Sequence, residues 1–169
     1  MSKLAKTRSR IIKVYHGTEL WSPGTAIRAP AITYMLTRGR TKAEAIIYAE
    51  GLLVPLLDFS DRRYLHSAML QAQRTGIYSP LVSTSRKREV ARSFALSETG
   101  TGYIVTIEGP EDRFYDFNKI RNDNGLPQTS EHEWMQEMGI PLEVALPFEI
   151  VSVDKVSAVV EKKVTVYRK

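Results

Sequence analysis

The chain has 169 residues, 43% of them hydrophobic and 25% charged, with no cysteine and a net charge of +5. That length and balance fit one globular domain over residues 1–169 that buries its own core, and they exclude a chain disordered throughout. The lack of cysteine removes disulfides and cysteine-based zinc sites. No apolar run approaches the ~20 residues needed to span a bilayer, so no membrane association is expected.

Positive charge gathers at the ends. Lys3, Lys6, Arg8, Arg10 and Lys13 precede the first acid, Glu19, and Lys162, Lys163, Arg168 and Lys169 close the chain. Residues 1–10 read as a flexible basic N-terminus; the ends are solvated, or they contact phosphates of a nucleic acid. No apolar stretch of the signal-peptide kind follows the basic start, so delivery as part of a larger chain is expected instead.

Ile11, Ile12, Val14 and Tyr15 predict a first strand, ended by Gly17. Pro23, Gly24 and Pro30 predict a loop over 22–31. Thr41 with Glu44 three residues later forms a capping-box pattern. Ala43, Ile46, Ile47 and Leu53 follow at helical spacing, which predicts a helix over about 42–52. Asp61 caps a second expected helix that runs to Arg74, where Gly76 stops it. Leu81 to Thr84 reads as a short strand, and Arg86 to Leu96 as a helix with Val90, Ala91 and Phe94 inward. Tyr103 to Ile107 alternates as a strand does, with Ile104 and Thr106 on one face and Tyr103, Val105 and Ile107 on the other. Residues 109–130 read as a long irregular stretch, which in a compact domain is usually functional or mobile. From Val144 to Tyr167 the pattern is again strand-like. The sum is an α+β domain.

Three short motifs stand in order: Tyr15-His16-Gly17-Thr18 at the end of the first strand, Ser83-Thr84-Ser85 after another, and Glu131-His132-Glu133 after the long loop. Singly, each has an ordinary explanation. A histidine after a strand is often structural, Ser-Thr-Ser before a helix is a natural cap, and two glutamates one residue apart are usually a solvated edge.

Together they resemble the mono-ADP-ribosyltransferase toxin family. Ser83-Thr84-Ser85 and the segment from Glu131 to Pro141, with Gly139-Ile140-Pro141 after the second glutamate, are similar to cholera-like toxins. Those carry arginine at the first motif; Tyr15-His16-Gly17-Thr18 looks instead like the diphtheria-toxin and poly-ADP-ribose-polymerase branch. The resemblance spans about residues 11–153. It implies a split β-sandwich with flanking helices, NAD⁺ as substrate, no metal, and transfer of ADP-ribose to a macromolecule with release of nicotinamide.

The roles the resemblance implies have physical sense. Breaking the ribose–nicotinamide bond builds positive charge on the ribose, which a nearby carboxylate stabilises. Glu133 matches that carboxylate. Glu131 would orient or deprotonate the acceptor; in an extended segment residues i and i+2 share a face, so both glutamates can reach one site. Ser83 would hold Glu133 in its productive rotamer. Thr84 and Ser85 would shape the site or cap the helix. His16 would donate to the adenosine-side ribose, Thr18 would join it in binding NAD⁺, and the Gly17 backbone would pair with the nicotinamide amide, with no Cβ to prevent close approach. Phe94 or Tyr103 would flank the nicotinamide. The loop carrying Asn122, Asp123, Asn124 and Gly125 would recognise the target. His132 reads as structural or target-facing rather than as a base, and His66 as an ordinary residue of a helical stretch.

For the acceptor, protein arginine follows from Glu-x-Glu, and structured RNA or other nucleic acid from the basic balance. Two alternatives remain open: an NAD⁺ glycohydrolase with water as acceptor, and an inactive relative that binds nucleic acid. The resemblance further implies a toxin of interbacterial competition that acts in the target-cell cytoplasm, with an acidic cognate inhibitor covering the cleft.

Overall fold

The computed structural model of the chain describes residues 9–56, 79–116, 119, 122–123, 138–159 and 164–169. In chain order the elements are β1 (Ile11–Thr18), α1 (Pro30–Thr37), α2 (Lys42–Leu56), β2 (Leu81–Thr84), α3 (Arg88–Leu96), β3 (Thr101–Pro110), β4 (Tyr115–Asp116), β5 (Met138–Pro141), β6 (Glu149–Ser157) and β7 (Val164–Arg168). The strands form two antiparallel sheets, ordered β1-β3-β6-β7 and β2-β5-β4. The fold is α+β. Among the described residues no helix is long and apolar enough to cross a membrane.

Strand β3 is the centre of this arrangement, because both of its faces are covered. Val105 and Ile107 join Val14 and Val153 against Val82, Met138 and Ile140 of the smaller sheet. Ile104 turns the other way and joins Val156 against Ala91 and Ala95 of α3. This is the alternation read from the sequence, with the helix on one side and the second sheet on the other. Each aliphatic side chain buried in this way contributes roughly 1.5–3 kcal/mol.

Helix α3 lies on the sheet over two glycines. A Cβ at Gly17 would fall 1.9 Å from the Ala91 carbonyl oxygen, and one at Gly102 would fall 2.1 Å from that of Ala95. Gly17 therefore does not end β1, which runs on to Thr18. Its missing Cβ makes room for the helix backbone. The helix begins at Arg88 rather than Arg86, since Lys87 is extended and its N–H is held by Ser85 Oγ at 3.0 Å. Ala91 and Ala95 are its buried residues; Phe94 is 40% exposed.

Pro30, expected in a loop, is in the first turn of α1. Proline suits that place, since its fixed φ is already helical and its absent N–H is not needed there. Ala31 and Ile32 of α1 pack on Ala45 and Ala49 of α2. Glu44 N donates to Thr41 Oγ1 at 3.2 Å, one half of the expected capping box, and the Glu44 carboxylate accepts from the Thr41 hydroxyl at 3.2 Å. The helix runs to Leu56 rather than residue 52; of the four residues at helical spacing, Ala43 is exposed and Ile47 is 69% exposed. Small residues at the seam let the two helices approach closely, and Ile46 and Leu52 pack at its margins.

The stretch expected to be irregular from residue 109 opens with order. Strand β3 continues to Pro110, a 3₁₀ turn spans Glu111–Arg113, and β4 pairs Tyr115 with Gly139 of β5. The late strand-like region divides into β6 and β7. Ser9 and Arg10, counted with the flexible N-terminus, are tied to this region. Asp112 N donates to Ser9 Oγ at 3.0 Å, and Glu111 N donates to the Arg10 carbonyl at 2.8 Å. The helix expected over 61–74 lies outside the described residues.

Candidate active site

The two sheets meet where the first two motifs lie. Tyr15 N donates to the Ser85 carbonyl at 2.7 Å, and Ser85 N returns a bond to the Tyr15 carbonyl at 2.9 Å. This pair locks the end of β1 beside the end of β2. Strand alternation then places His16 on the same face as Val14, toward the smaller sheet. Its Nδ1 lies 2.7 Å from the Ser83 carbonyl oxygen, a contact between residues 67 apart in the chain.

A carbonyl only accepts, so Nδ1 carries the hydrogen. Burial pushes the His16 pKa below its ordinary value, and the bond to Ser83 opposes that more weakly. Near neutral pH the ring is therefore uncharged and Nε2 is an acceptor. With Nδ1 directed to Ser83, the nitrogen left for any other partner is Nε2, an acceptor in the neutral ring.

His16, Gly17, Thr18 and Ser83 line one cleft of about 600 Å³. That is within the range of small-molecule and cofactor sites, roughly 300–1,000 Å³. Within the Ser-Thr-Ser motif the three side chains divide their tasks. Ser83 is exposed at the cleft. Thr84 is buried and donates to the Met138 carbonyl at 3.2 Å, which ties β2 to β5. Ser85 is buried and caps the turn at Lys87. Both line a smaller adjoining cavity of about 220 Å³ together with Phe94. Thr18 Oγ1 donates to the Leu20 carbonyl at 3.1 Å, so its hydroxyl shapes the turn after β1.

Gly17 lines this cleft, and its missing Cβ also makes room for the α3 backbone. Of the two aromatic candidates, Phe94 lines the His16 cleft, whereas Tyr103 packs on Trp21 with ring centroids 6.1 Å apart. Sequence reasoning missed the wall built by α1 and the residues just before it. Arg28 and Tyr34 line the cleft, and the Arg38 guanidinium lies 4.5 Å from the Tyr34 ring centroid. A proline recognised as a helix opener would have marked this wall.

The remaining candidates lie elsewhere. Asn122 and Asp123 are exposed, and Asp123 lines a different cleft of about 760 Å³ with Arg86, Glu111 and Asp116. Asn124, Gly125, Glu131, His132, Glu133 and His66 lie outside the described residues. Met138, five residues after Glu133 in the chain, pairs with Thr84 at the start of β5. Among the described residues no group of three His, Cys, Asp or Glu could hold a metal ion.

No family model, no curated protein and no solved structure matches the chain.

Proposed function

We propose that the chain is a toxin-type mono-ADP-ribosyltransferase that takes NAD⁺ as substrate, and that its two sheets are the split β-sandwich of that family. The observation that supports this best is the meeting of His16 and Ser83, from separate motifs, on the wall of one cleft of dinucleotide size. The order of the three motifs in the sequence supports it independently.

In the proposed reaction the ribose C1′–nitrogen bond breaks and its electron pair leaves with neutral nicotinamide. The acceptor's lone pair then bonds to C1′ and the acceptor loses a proton. Glu133 accepts a hydrogen bond from the ribose 2′-hydroxyl and stabilises the cation; Glu131 takes the acceptor's proton or aligns it. Ser83 steadies Glu133, and His16 Nε2 accepts from a hydroxyl of the other ribose. The acceptor is a macromolecule, protein arginine or nucleic acid, and an acidic inhibitor protein fits a basic enzyme with an open cleft.

The test incubates labelled NAD⁺ and a cell lysate with the protein or its Glu133→Ala variant. Expected are label on a macromolecule, release of nicotinamide, and a loss on the order of 10²–10³-fold or more in the variant. Protease or nuclease treatment identifies the acceptor class. Free ADP-ribose alone identifies a glycohydrolase, and no NAD⁺ turnover by the parent protein overturns the reading.

A further inference from the structure

Among the described residues that line the His16 cleft, Arg28 is the one with a permanent positive charge. It stands in a strap just ahead of α1. Arg28 pairs with Glu143 as an isolated bridge, Ala29 N donates to the Leu142 carbonyl at 2.7 Å, and Val144 N donates to the Ile27 carbonyl at 2.9 Å. The backbone that carries Arg28 is thus fixed on both sides of it.

The side chain is engaged through one nitrogen only. Arg28 Nε lies 3.4 Å from Glu143 Oε2, and Lys42 Nζ lies 3.0 Å from Glu143 Oε1. One carboxylate is shared by two cations, so this triad keeps a net positive charge. The terminal nitrogens of the guanidinium make no hydrogen bond to a described residue. They form the edge of the fork that suits two phosphate oxygens. Arg28 and Glu143 have side chains 33% and 20% exposed, so solvent screens them less than it screens a surface pair.

The other charges of the cleft sharpen the choice. His16 is neutral at the position where it lines the cleft, so it offers no cation to a phosphate. Glu19 and Glu98 are exposed carboxylates that also line the cleft and disfavour an anion beside them. An anionic group entering the cleft is therefore drawn to Arg28.

We infer that Arg28 is the phosphate-binding residue of this cleft and that it holds the diphosphate of a nucleoside diphosphate ligand. The identity of that ligand as NAD⁺ rests on the function proposed above; the phosphate subsite does not. Glu143 acts as a positioning residue, holding Nε while the outer nitrogens meet the ligand.

The experiment measures ADP and ADP-ribose binding by calorimetry for the parent protein, Arg28→Gln, Arg28→Lys and Glu143→Gln, with Tm recorded for each. Arg28→Gln is expected to weaken both ligands about 10- to 100-fold. Arg28→Lys keeps the charge without the fork and is expected to fall between. Glu143→Gln keeps an acceptor oxygen for Arg28 Nε and removes the negative charge beside the subsite, so binding is expected to hold or tighten. Equal binding by Arg28→Gln and the parent overturns the inference. So does a loss in Glu143→Gln as large as in Arg28→Gln, because that is the signature of a strap held by an ion pair. If the parent binds neither ligand yet consumes NAD⁺, the subsite fails and the transferase reading survives. If it binds ADP through Arg28 but leaves NAD⁺ intact, the subsite stands and the transferase reading fails.

Discussion

Gly17 of β1 packs directly on the backbone of Ala91 in α3, so closely that a Cβ at position 17 would lie 1.9 Å from the Ala91 carbonyl oxygen and 2.9 Å from Ala95 N. Those are backbone atoms of a helix and cannot turn aside as a side chain can. Gly17→Ala must lift α3 from the sheet, and the helix carries Phe94 into the cleft wall. A loss of about 1–3 kcal/mol in urea unfolding is expected, with weaker ligand binding in the folded fraction. Gly102→Ala, whose Cβ would meet Ala95 at 2.1 Å, is expected to cost a similar amount. An unchanged unfolding midpoint in both variants would show that the helix sits farther out.

The His16 ring gives stability a defined pH dependence. Its folded pKa is below the ordinary 6.5, chiefly because burial penalises the imidazolium. Below that ordinary value the unfolded chain binds a proton that the folded chain refuses. The contribution is therefore fully present above pH 6.5 and is lost as pH falls from there through the folded pKa. Urea midpoints measured from about pH 7.5 down to 5 are expected to decline, and His16→Gln to decline less, since glutamine keeps a donor for the Ser83 carbonyl but does not titrate. The comparison isolates His16 from His66 and His132. Parallel pH curves for the two proteins would contradict a half-buried ring that resists protonation.

What could be read from the sequence, and what could not, follows from the range of the interactions. Alternation in β3 and the Thr41–Glu44 cap are local patterns, and the structure contains both. The first turn of α1 was obscured because proline stops a helix from inside but opens one from its start. The α1–α2 seam was obscured because Ala45 and Ala49 carry a weak apolar signal beside Ile46 and Ile47. At the site, His16 and Ser83 stand in short motifs that a reader can find. Arg28 cannot be found so, because the backbone that carries it is fixed by a bridge to Glu143, 115 residues away.

The division within Ser83-Thr84-Ser85 predicts that adjacent substitutions separate activity from stability. Thr84 is buried and bonded to the Met138 carbonyl, so Thr84→Val is expected to cost about 1 kcal/mol of stability. Its effect on NAD⁺ turnover by the folded protein is expected to be small. Ser83→Ala removes an exposed cleft hydroxyl but leaves the carbonyl that holds His16. It is expected to leave Tm within a degree or two of the parent, as surface substitutions do, while lowering turnover on the order of 10- to 100-fold. The reverse pattern would move the functional hydroxyl from Ser83 to Thr84.

Glu131 offers the sharpest test of how labour is shared between the two glutamates. If Glu133 stabilises the ribose cation and Glu131 only prepares the acceptor, bond breaking outlasts the loss of Glu131. Glu131→Ala and Glu131→Gln are then expected to lose labelling of the macromolecule by roughly 10²–10⁴-fold, the usual worth of a positioned acid or base. Both should still release nicotinamide, because water can replace the acceptor at the exposed ribose carbon. Glu133→Ala is expected to abolish nicotinamide release as well as labelling. Chromatography of nicotinamide beside a gel of labelled product reads both steps in one reaction. Equal residual release from the two alanine variants would mean that the carboxylates act as one unit, and the assignment of separate roles would have to be abandoned.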